Sequence, residues 1–313
     1  MTLDELAKKL DAFENVDGTE FRRRARVLQS MWRAERGYPM GKHKGRQGSR
    51  PLGSRLQMPW ARETLSNYLT DAIRNVVRAE VMEAEQSRGK LYSKPRIFND
   101  LLSSQPLAFN LFGELKQDLK LCSRLIESMT SGRFRQVDKV EFEYSPSRRD
   151  PKLTDDRSAF DVFLQCRGAS VKHSFVGIEV KYHENLKNNP AGLRARYDEI
   201  ADKMGCFATK SRSSLKESPL QQIWRDHLLA CSMLQTEGYE DGLFVFLYPK
   251  DNYDCSSAIE AYRRCLTDER TLAACTLEDV VEILRRHSHA GWINSFHDRY
   301  LAFDKVTRRM IEP

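Results

Sequence analysis

Three charged residues lie inside apolar, strand-like stretches of this chain. Asp161 begins the run 161–164, and Glu179 and Lys181 lie within the run 176–182. Burying a carboxylate or an ammonium costs free energy unless the group is paired or bound to a metal. Residues two apart in a strand share a face, so Glu179 and Lys181 should point the same way. An antiparallel neighbour would bring Asp161 close to Glu179.

Two carboxylates at that separation repel each other unless a cation lies between them. Hard oxygen ligands of this kind suit Mg²⁺ or Mn²⁺. Such an ion lowers the pKa of a bound water, orients a phosphate and neutralises charge in the transition state. The ammonium of Lys181 could hold or polarise the attacking water. The alternative interpretation is that Asp161 and Glu179 are strand-end acids paired with surface arginines.

The elements around these residues follow from residue periodicity. Alternation predicts strands over 137–144, 159–165 and 174–182, whose short links indicate an antiparallel meander. The continuous apolar run 243–248 predicts a central strand. Apolar positions three and four apart predict one helix from 107 to 129. A second helix should begin at Ser218, with Gln221 as its capping-box partner. This order of elements predicts a mixed sheet with helices on both faces, an α/β fold.

The composition narrows the class of partner. The 313 residues carry a formal net charge of +7, which favours an anionic partner. Seven scattered cysteines without a C-x-x-C pair indicate reduced thiols in the cytoplasm and argue against a zinc site. The chain has no apolar run of membrane-spanning length and no signal-peptide pattern at its N-terminus. We therefore expect a cytoplasmic protein that does not bind a membrane.

Positive charge is concentrated between Arg22 and Arg55, which hold eleven Lys or Arg residues against one acid, Glu35. Each cation that meets a phosphate releases counterions and adds salt-dependent affinity. We expect this stretch to contact the DNA backbone, and whether it also reads bases stays open. The stretch Gly41–Gly53 should be a loop, and its neighbouring aromatic residues either stack on bases or anchor a small core. The candidate DNA-binding residues are Arg23, Arg24, Lys42, Lys44 and Arg46; the aromatic residues are Trp32, Tyr38 and Trp60.

This set of residues resembles the PD-(D/E)xK nuclease superfamily, the restriction-endonuclease-like fold, and in particular its bacterial restriction-type members. The resemblance is carried by Asp161, by the segment 179–181, and by the flanking segments 110–115 and 222–227. It covers about residues 91–250. One departure is that Phe160, not proline, precedes Asp161. The resemblance implies a four-stranded mixed sheet flanked by helices and hydrolysis of phosphodiester bonds with Mg²⁺.

The resemblance also implies further site residues. Relatives place an acid on the first core helix, where Glu114 is the candidate and Asp118, one turn later, is the alternative. The metal ligands would then be Glu114, Asp161 and Glu179, with Lys181 completing the catalytic set. The helix after the lysine strand often supplies polar residues to the site, so Gln222 and Arg225 are expected to contact a phosphate.

The sequence thus predicts a restriction-endonuclease-like mixed central β-sheet flanked by helices. It divides the chain into a basic, mostly helical N-terminal extension (1–90), a nuclease-like core (91–250) and C-terminal helices packed on the core (251–313). The leading hypothesis is a Mg²⁺- or Mn²⁺-dependent DNA endonuclease that acts in restriction, defence or repair, with a homodimer as one way to cut both strands. Two alternatives stay open. One is a non-catalytic DNA-binding module on the same fold, and the other is an interaction protein whose helices in 256–308 dock a partner.

Overall fold

The computed structural model describes residues 1–45, 48–83, 85 and 88–311. They form two compact units. Unit 1 comprises Met1–Gln86, Tyr92–Glu114 and His289–Pro313, and unit 2 comprises Ser87–Leu91 and Leu115–Ser288. The three sequence ranges expected for domains stay a proposal, and the units have different boundaries.

Helices occur in both units. In chain order they are α1 (Leu3–Lys9), α2 (Glu20–Glu35), α3 (Trp60–Thr64), α4 (Asp71–Val77), α5 (Arg96–Asn99), α6 (Ser104–Gln117), α7 (Leu119–Met129), α8 (Ala195–Met204), α9 (Arg212–Leu215), α10 (Leu220–Thr236), α11 (Tyr253–Arg263), α12 (Leu277–His287), α13 (Gly291–Tyr300) and α14 (Asp304–Ile311). A π-helical turn (Arg78–Met82) follows α4, and a 3₁₀ turn (Thr209–Ser211) precedes α9.

The strands form two sheets. Unit 1 holds the antiparallel pair β1 (Met40–Gly45) and β2 (Gly48–Leu56). Unit 2 holds a sheet in the order β3-β4-β5-β6-β7. Its pairs β3–β4 and β4–β5 are antiparallel, whereas β5–β6 and β6–β7 are parallel. The five strands are β3 (Phe134–Tyr144), β4 (Phe160–Gly168), β5 (Ser174–Val180), β6 (Asp241–Tyr248) and β7 (Leu272–Thr276).

The mixed sheet confirms the predicted fold class and meander, with one correction to the strand count. The resemblance implied four strands, but β7 adds a fifth beside β6. After the buried Leu272, the four remaining residues of β7 are small or polar and half-buried, so the strand lacks the apolar run that marks a buried strand.

One hydrophobic core covers a face of the sheet in unit 2. It joins side chains of β4, β5 and β6 to those of α8, α10 and α11, with Phe163, Phe175 and Trp224 among its largest members. Strand β5 is buried along its whole length. Because β5 is paired on both sides, the residues at its end are fixed by hydrogen bonds from two neighbours.

The predicted loop at Gly41–Gly53 was wrong, because β1 and β2 pair there. Two of the glycines in this stretch serve close backbone approach. A Cβ at Gly53 would lie 2.1 Å from the carbonyl oxygen of Leu10, and one at Gly41 would lie 2.3 Å from that of Leu56. Gly41 and Gly53 therefore mark close backbone approach, whereas Gly48, with a φ of 110° and no atom within 4 Å of an added Cβ, lies at the end of the hairpin.

Two predicted helix boundaries were also wrong. The single helix expected over 107–129 is broken at Asp118, whose carboxylate caps α7 by accepting a hydrogen bond from the backbone N–H of Leu121 (2.9 Å). The capping box at the start of α10 does not form. Ser218 donates to the carbonyl of Leu186 (2.9 Å) instead, and Gln221 bonds both backbone groups of Ala191.

Candidate active site

The two predicted acids lie on neighbouring strands of the central sheet. Val162 of β4 pairs with Ile178 of β5, which places Asp161 and Glu179 on the next rung. One oxygen of Asp161 accepts a hydrogen bond from the backbone N–H of Val180 (2.9 Å). Within the described chain, the recorded ion pairs of these acids include no arginine. The surface-pair interpretation therefore has no support in the contacts of these two residues.

Lys181 follows directly on β5 and points toward Glu179. Its ammonium donates to Oε1 of Glu179, and the side-chain amide of Gln222 donates to the same oxygen (3.0 Å). Both Glu179 and Lys181 are more than nine-tenths buried, at 7% and 4% exposure. The backbone N–H of Lys181 donates to the carbonyl of Leu247 (2.8 Å), so the β5–β6 ladder holds Lys181 in place.

The charged groups at the end of β5 shift the pKa values of Asp161 and Lys181. Burial, together with the negative charge of Glu179, raises the pKa of Asp161 well above its ordinary value, although Lys181 opposes the shift. Burial alone would lower the pKa of Lys181, but the carboxylates of Glu179 and Glu184 outweigh it and raise that pKa. Lys181 is therefore a charged ammonium, and the carboxylates repel each other.

A cavity of about 360 Å³ in unit 2 opens onto Asp161 and Glu179, whereas Lys181 is not among the described residues that line it. Asp161 and Glu179 line it together with Gln222 and Arg225 of α10, so four of the predicted site residues meet there. The other polar or charged residues of its lining are Glu143, Arg148, Arg157, Ser158, Asn188, Asn189, Ser218, Gln221 and Asp226. Acids and arginines in one cavity suit a cation and a phosphate side by side.

Arg225 is held at the cavity by a buried acid. Its guanidinium forms an ion pair with Asp156 (2.8 Å) and a hydrogen bond with the hydroxyl of Ser158 (3.2 Å). Asp156 also accepts hydrogen bonds from the hydroxyls of Thr154 and Tyr197, both 2.7 Å long. This network fixes Arg225 before any substrate arrives.

Two acids of the cavity were missed by sequence reasoning. Glu143 is on β3 between residues that pair with Phe160 and Val162, so it lies opposite Asp161. It adopts a positive φ of 50° and forms an ion pair with Arg148 (2.8 Å). Asp226 follows Gln222 by one turn of α10, a spacing that would have placed it on the same helix face.

A family model described as PD-(D/E)XK nuclease superfamily matches residues 16–302. The chain belongs to this superfamily. Neither the curated proteins nor the solved structures gave a match to it. Nuclease activity is the general property of the superfamily, and divalent metals are its usual cofactors.

The donor set of this superfamily member fits a divalent cation. Glu179 is buried and Asp161 is half-buried on the adjacent strand, and the charge of Glu179 helps to raise the pKa of Asp161, so a cation between the two acids would relieve their repulsion. Their oxygens are the hard ligands that Mg²⁺ and Mn²⁺ prefer. Asp161 and Glu179 would hold the ion, and Lys181 would lie beside it.

The remaining predicted acid of this superfamily member is in unit 1. Glu114 is on α6, and its carboxylate accepts a hydrogen bond from the hydroxyl of Thr70. It is not among the described residues that line the cavity. Asp118, the alternative, uses one oxygen to cap α7. A metal-binding role for Glu114 stays a prediction.

Two arginines of the basic stretch form ion pairs or hydrogen bonds with other residues of unit 1. Arg23 forms an ion pair with Asp4 (3.4 Å), and Arg24 donates to the carbonyl of Phe303 and the hydroxyl of Thr307. Lys42 is exposed on β1. Lys44 is in β1, and Arg46 lies outside the described residues. DNA contact by these five residues stays a prediction.

The aromatic residues of that stretch pack on one another. The ring centroids of Trp32 and Tyr38 are 5.7 Å apart, and those of Tyr38 and Trp60 are 5.3 Å apart. Trp32 belongs to a small core with Leu56, Ala61 and Leu101. Of the two interpretations, these contacts favour a core anchor.

Among the described residues, one group of three potential metal ligands with closely spaced ligand atoms lies in the core of unit 2, and the acids that line the cavity are not such a group. Ligand atoms of Cys206, His227 and Cys231 lie within 4.8 Å of one another, and all three residues are buried. Both ring nitrogens of His227 are already bonded, to the hydroxyls of Tyr262 (2.9 Å) and Thr271 (2.8 Å). Burial lowers the pKa of His227 to about 3, so the ring is neutral. The contacts describe a hydrogen-bonded core histidine.

Among the described residues, no helix is both long and apolar enough to cross a bilayer.

Proposed function

We propose that this chain is a Mg²⁺- or Mn²⁺-dependent endonuclease that hydrolyses phosphodiester bonds of DNA. The observation that carries the proposal is the arrangement at the end of β5. There, Asp161 and Glu179 lie on adjacent strands, and the ammonium of Lys181 is bonded to Glu179. Membership of a nuclease superfamily supports hydrolysis of phosphodiester bonds as the reaction at this site.

Each residue has a role that its chemistry supports. Asp161 and Glu179 would hold the cation, which supplies a water of lowered pKa and charge neutralisation when bound. Lys181 orients the attacking water with an ammonium that its neighbours keep charged. Gln222 fixes the carboxylate of Glu179, and Arg225 and Arg148, which line the cavity, would hold phosphate oxygens.

The wider role is part of the same proposal. The net charge of +7 and the basic stretch Arg22–Arg55 support DNA as the substrate. Restriction, defence against foreign DNA or repair in the cytoplasm are the settings we propose, and two copies of the chain would supply the two sites that a double-strand cut needs.

The direct test is nicking of supercoiled plasmid with Mg²⁺ or Mn²⁺ by the wild type and by Lys181→Met. We expect the variant to lose about a hundredfold in rate or more. Lys139→Ala, which changes an exposed lysine on β3, is the matched control and should cut like the wild type. Thermal unfolding would show whether Lys181→Met is folded. Equal cutting by wild type and Lys181→Met would refute the proposal.

The alternative, a non-catalytic DNA-binding module on the same fold, makes a different prediction. It expects salt-sensitive DNA binding by the wild type and no metal-dependent cutting of any DNA substrate. The ion-paired, charged Lys181 argues for catalysis, because a pure binding site has no need of a buried ammonium between carboxylates.

A further inference from the structure

One carboxylate at the cavity has an oxygen that nothing in the described chain satisfies. Asp226 is 7% exposed, and its Oδ2 is buried without a hydrogen-bond partner. Leaving a buried carboxylate oxygen unpaired costs free energy, so native proteins seldom keep one without a ligand or a catalytic use for it.

A neighbouring acid shows what a fully hydrogen-bonded carboxylate looks like. Asp156 is equally buried at 8% exposure, and its oxygens accept bonds from Thr154, Ser158, Tyr197 and Arg225. Asp226 adjoins Arg225 in sequence, yet the recorded ion pair of that guanidinium is with Asp156. Arg225 of α10 thus neutralises Asp156, whereas Oδ2 of Asp226 on the same helix is left without a hydrogen-bond partner in the described chain.

The position of Asp226 connects it to the proposed metal site. It lies one helical turn after Gln222, which bonds Glu179, and it lines the same cavity as Asp161 and Glu179. All three acids belong to unit 2. Glu114, the third acid that the family resemblance implied, is not among the described residues that line this cavity, and it accepts a hydrogen bond from Thr70.

We propose that Asp226 supplies the third carboxylate of the divalent-cation site, binding through Oδ2, and that Glu114 does not. This inference rests on the proposed function. It completes the ligand set from two strands and the helix α10, all within one unit. A hard cation takes several carboxylate oxygens, and the open oxygen of Asp226 is a ligand of that kind.

The test measures binding of Mn²⁺ alone to the full-length protein, by the electron paramagnetic resonance signal of the free ion. The variants are Asp226→Asn and Glu114→Gln, each of nearly the same shape as the native residue. Asp202→Asn, on the exposed face of α8, is the control. We expect Asp226→Asn to weaken Mn²⁺ binding tenfold or more, and the other two variants to bind within twofold of the wild type.

Thermal unfolding without metal checks the fold. Asp226→Asn removes a buried carboxyl group whose Oδ2 has no hydrogen-bond partner in the described chain, so its midpoint should equal or exceed that of the wild type. Mn²⁺ should then raise the midpoint of the wild type more than that of the variant. If the asparagine variant fails to fold, Asp226→Ser gives the same comparison with a smaller side chain.

The outcomes separate the two proposals. Wild-type affinity for Mn²⁺ in the Asp226 variants, or a tenfold loss in Glu114→Gln, overturns the assignment of Asp226 and leaves the nuclease proposal standing. Tight Mn²⁺ binding that depends on Asp226, without DNA cutting by the wild type, upholds the assignment and refutes the nuclease. A wild type that binds no Mn²⁺ overturns both.

Discussion

Arg225 and Asp156 form an ion pair, with Nη2 of Arg225 2.8 Å from Oδ2 of Asp156. The acid side chain is 7% exposed and the arginine side chain 21%, so the pair is largely shielded from water. Breaking such a pair costs more than breaking a surface pair, because the remaining charge stays partly buried. Asp156 therefore stabilises unit 2 locally and fixes the position of the Arg225 guanidinium at the cavity.

The first prediction concerns the pH dependence of this pair. Burial raises the pKa of Asp156, but Arg225 and the hydrogen bonds from Ser158 and Tyr197 outweigh it, and the pKa is lowered. Its folded pKa thus lies below the unfolded value of about 3.9. The carboxylate therefore stabilises the fold above that value, and this contribution is lost as the pH falls through the folded pKa.

We expect Asp156→Asn to lower the free energy of unfolding by about 2 kcal/mol at pH 7 and by clearly less at pH 3. Urea denaturation at both pH values measures the difference, with Asp202→Asn, at an exposed position of α8, as control. A gap between wild type and Asp156→Asn that is the same at both pH values would show that ionisation of Asp156 is irrelevant.

The second prediction concerns the packing behind the site. The ring of Phe160 lies over Gly177, where an added Cβ would be 2.6 Å from two ring carbons. Gly177→Ala should lower the free energy of unfolding by about 2 kcal/mol, because the ring must move within a packed core. Gly192→Ala, where nothing lies within 4 Å, should change it by less than about 0.5 kcal/mol.

A double-mutant cycle with Phe160→Leu sharpens this test. Shortening Phe160 opens the space above Gly177. Gly177→Ala should therefore lower the free energy of unfolding less in the Phe160→Leu variant than in the wild type. Strictly additive effects would mean that the ring and the glycine are not coupled. Urea denaturation is again the measurement.

The third prediction separates two roles for Gln222. Its amide donates to Glu179 (3.0 Å), so we expect it to position that carboxylate. Gln222→Ala should lower kcat about tenfold and change KM little, because the interaction serves the reacting arrangement and not substrate binding. Gln235→Ala, on the same helix but bonded to Ile200, is the control. A raised KM with unchanged kcat would instead indicate contact with the substrate.

The fourth prediction concerns the basic stretch. Lys42 is exposed on β1 in the part of the chain expected to meet the DNA backbone. Lys42→Glu should weaken DNA binding and reduce the slope of log affinity against log salt by about 1. Fluorescence anisotropy over a salt series measures both. Lys9→Glu changes an equally exposed lysine on α1, and an equal loss in both variants would mean that only net charge matters.

Sequence periodicity was sufficient for the part of the fold that carries the motif. Strands β3, β4 and β5 alternate or are continuously apolar, so their type and order were predictable, and with them the meeting of Asp161 and Glu179. The break at Asp118 was hidden because the apolar stripe continues through it, and only the cap geometry shows where one helix ends and another begins.

Other features depend on distant contacts that no local pattern reports. The glycines of β1 and β2 read as a loop, although Gly53 is needed for close approach to Leu10. Ser218 and Gln221 have the spacing of a capping box, but the loop at Leu186 and Ala191 competes for both side chains. The sequence suggests that Arg225 could pair with its neighbour Asp226, and only the structure shows that Arg225 pairs with Asp156 and leaves Oδ2 of Asp226 without a partner in the described chain.

The complete burial of β5 has a consequence for how this site can fail. Amide protons of a strand paired on both sides exchange with solvent chiefly through global opening, whereas loops exchange through local fluctuations. Since Glu179 is in β5 and Lys181 follows it directly, mild heat or denaturant should leave their geometry intact until unit 2 melts cooperatively. The site geometry and the central sheet would then be lost together in a single unfolding transition.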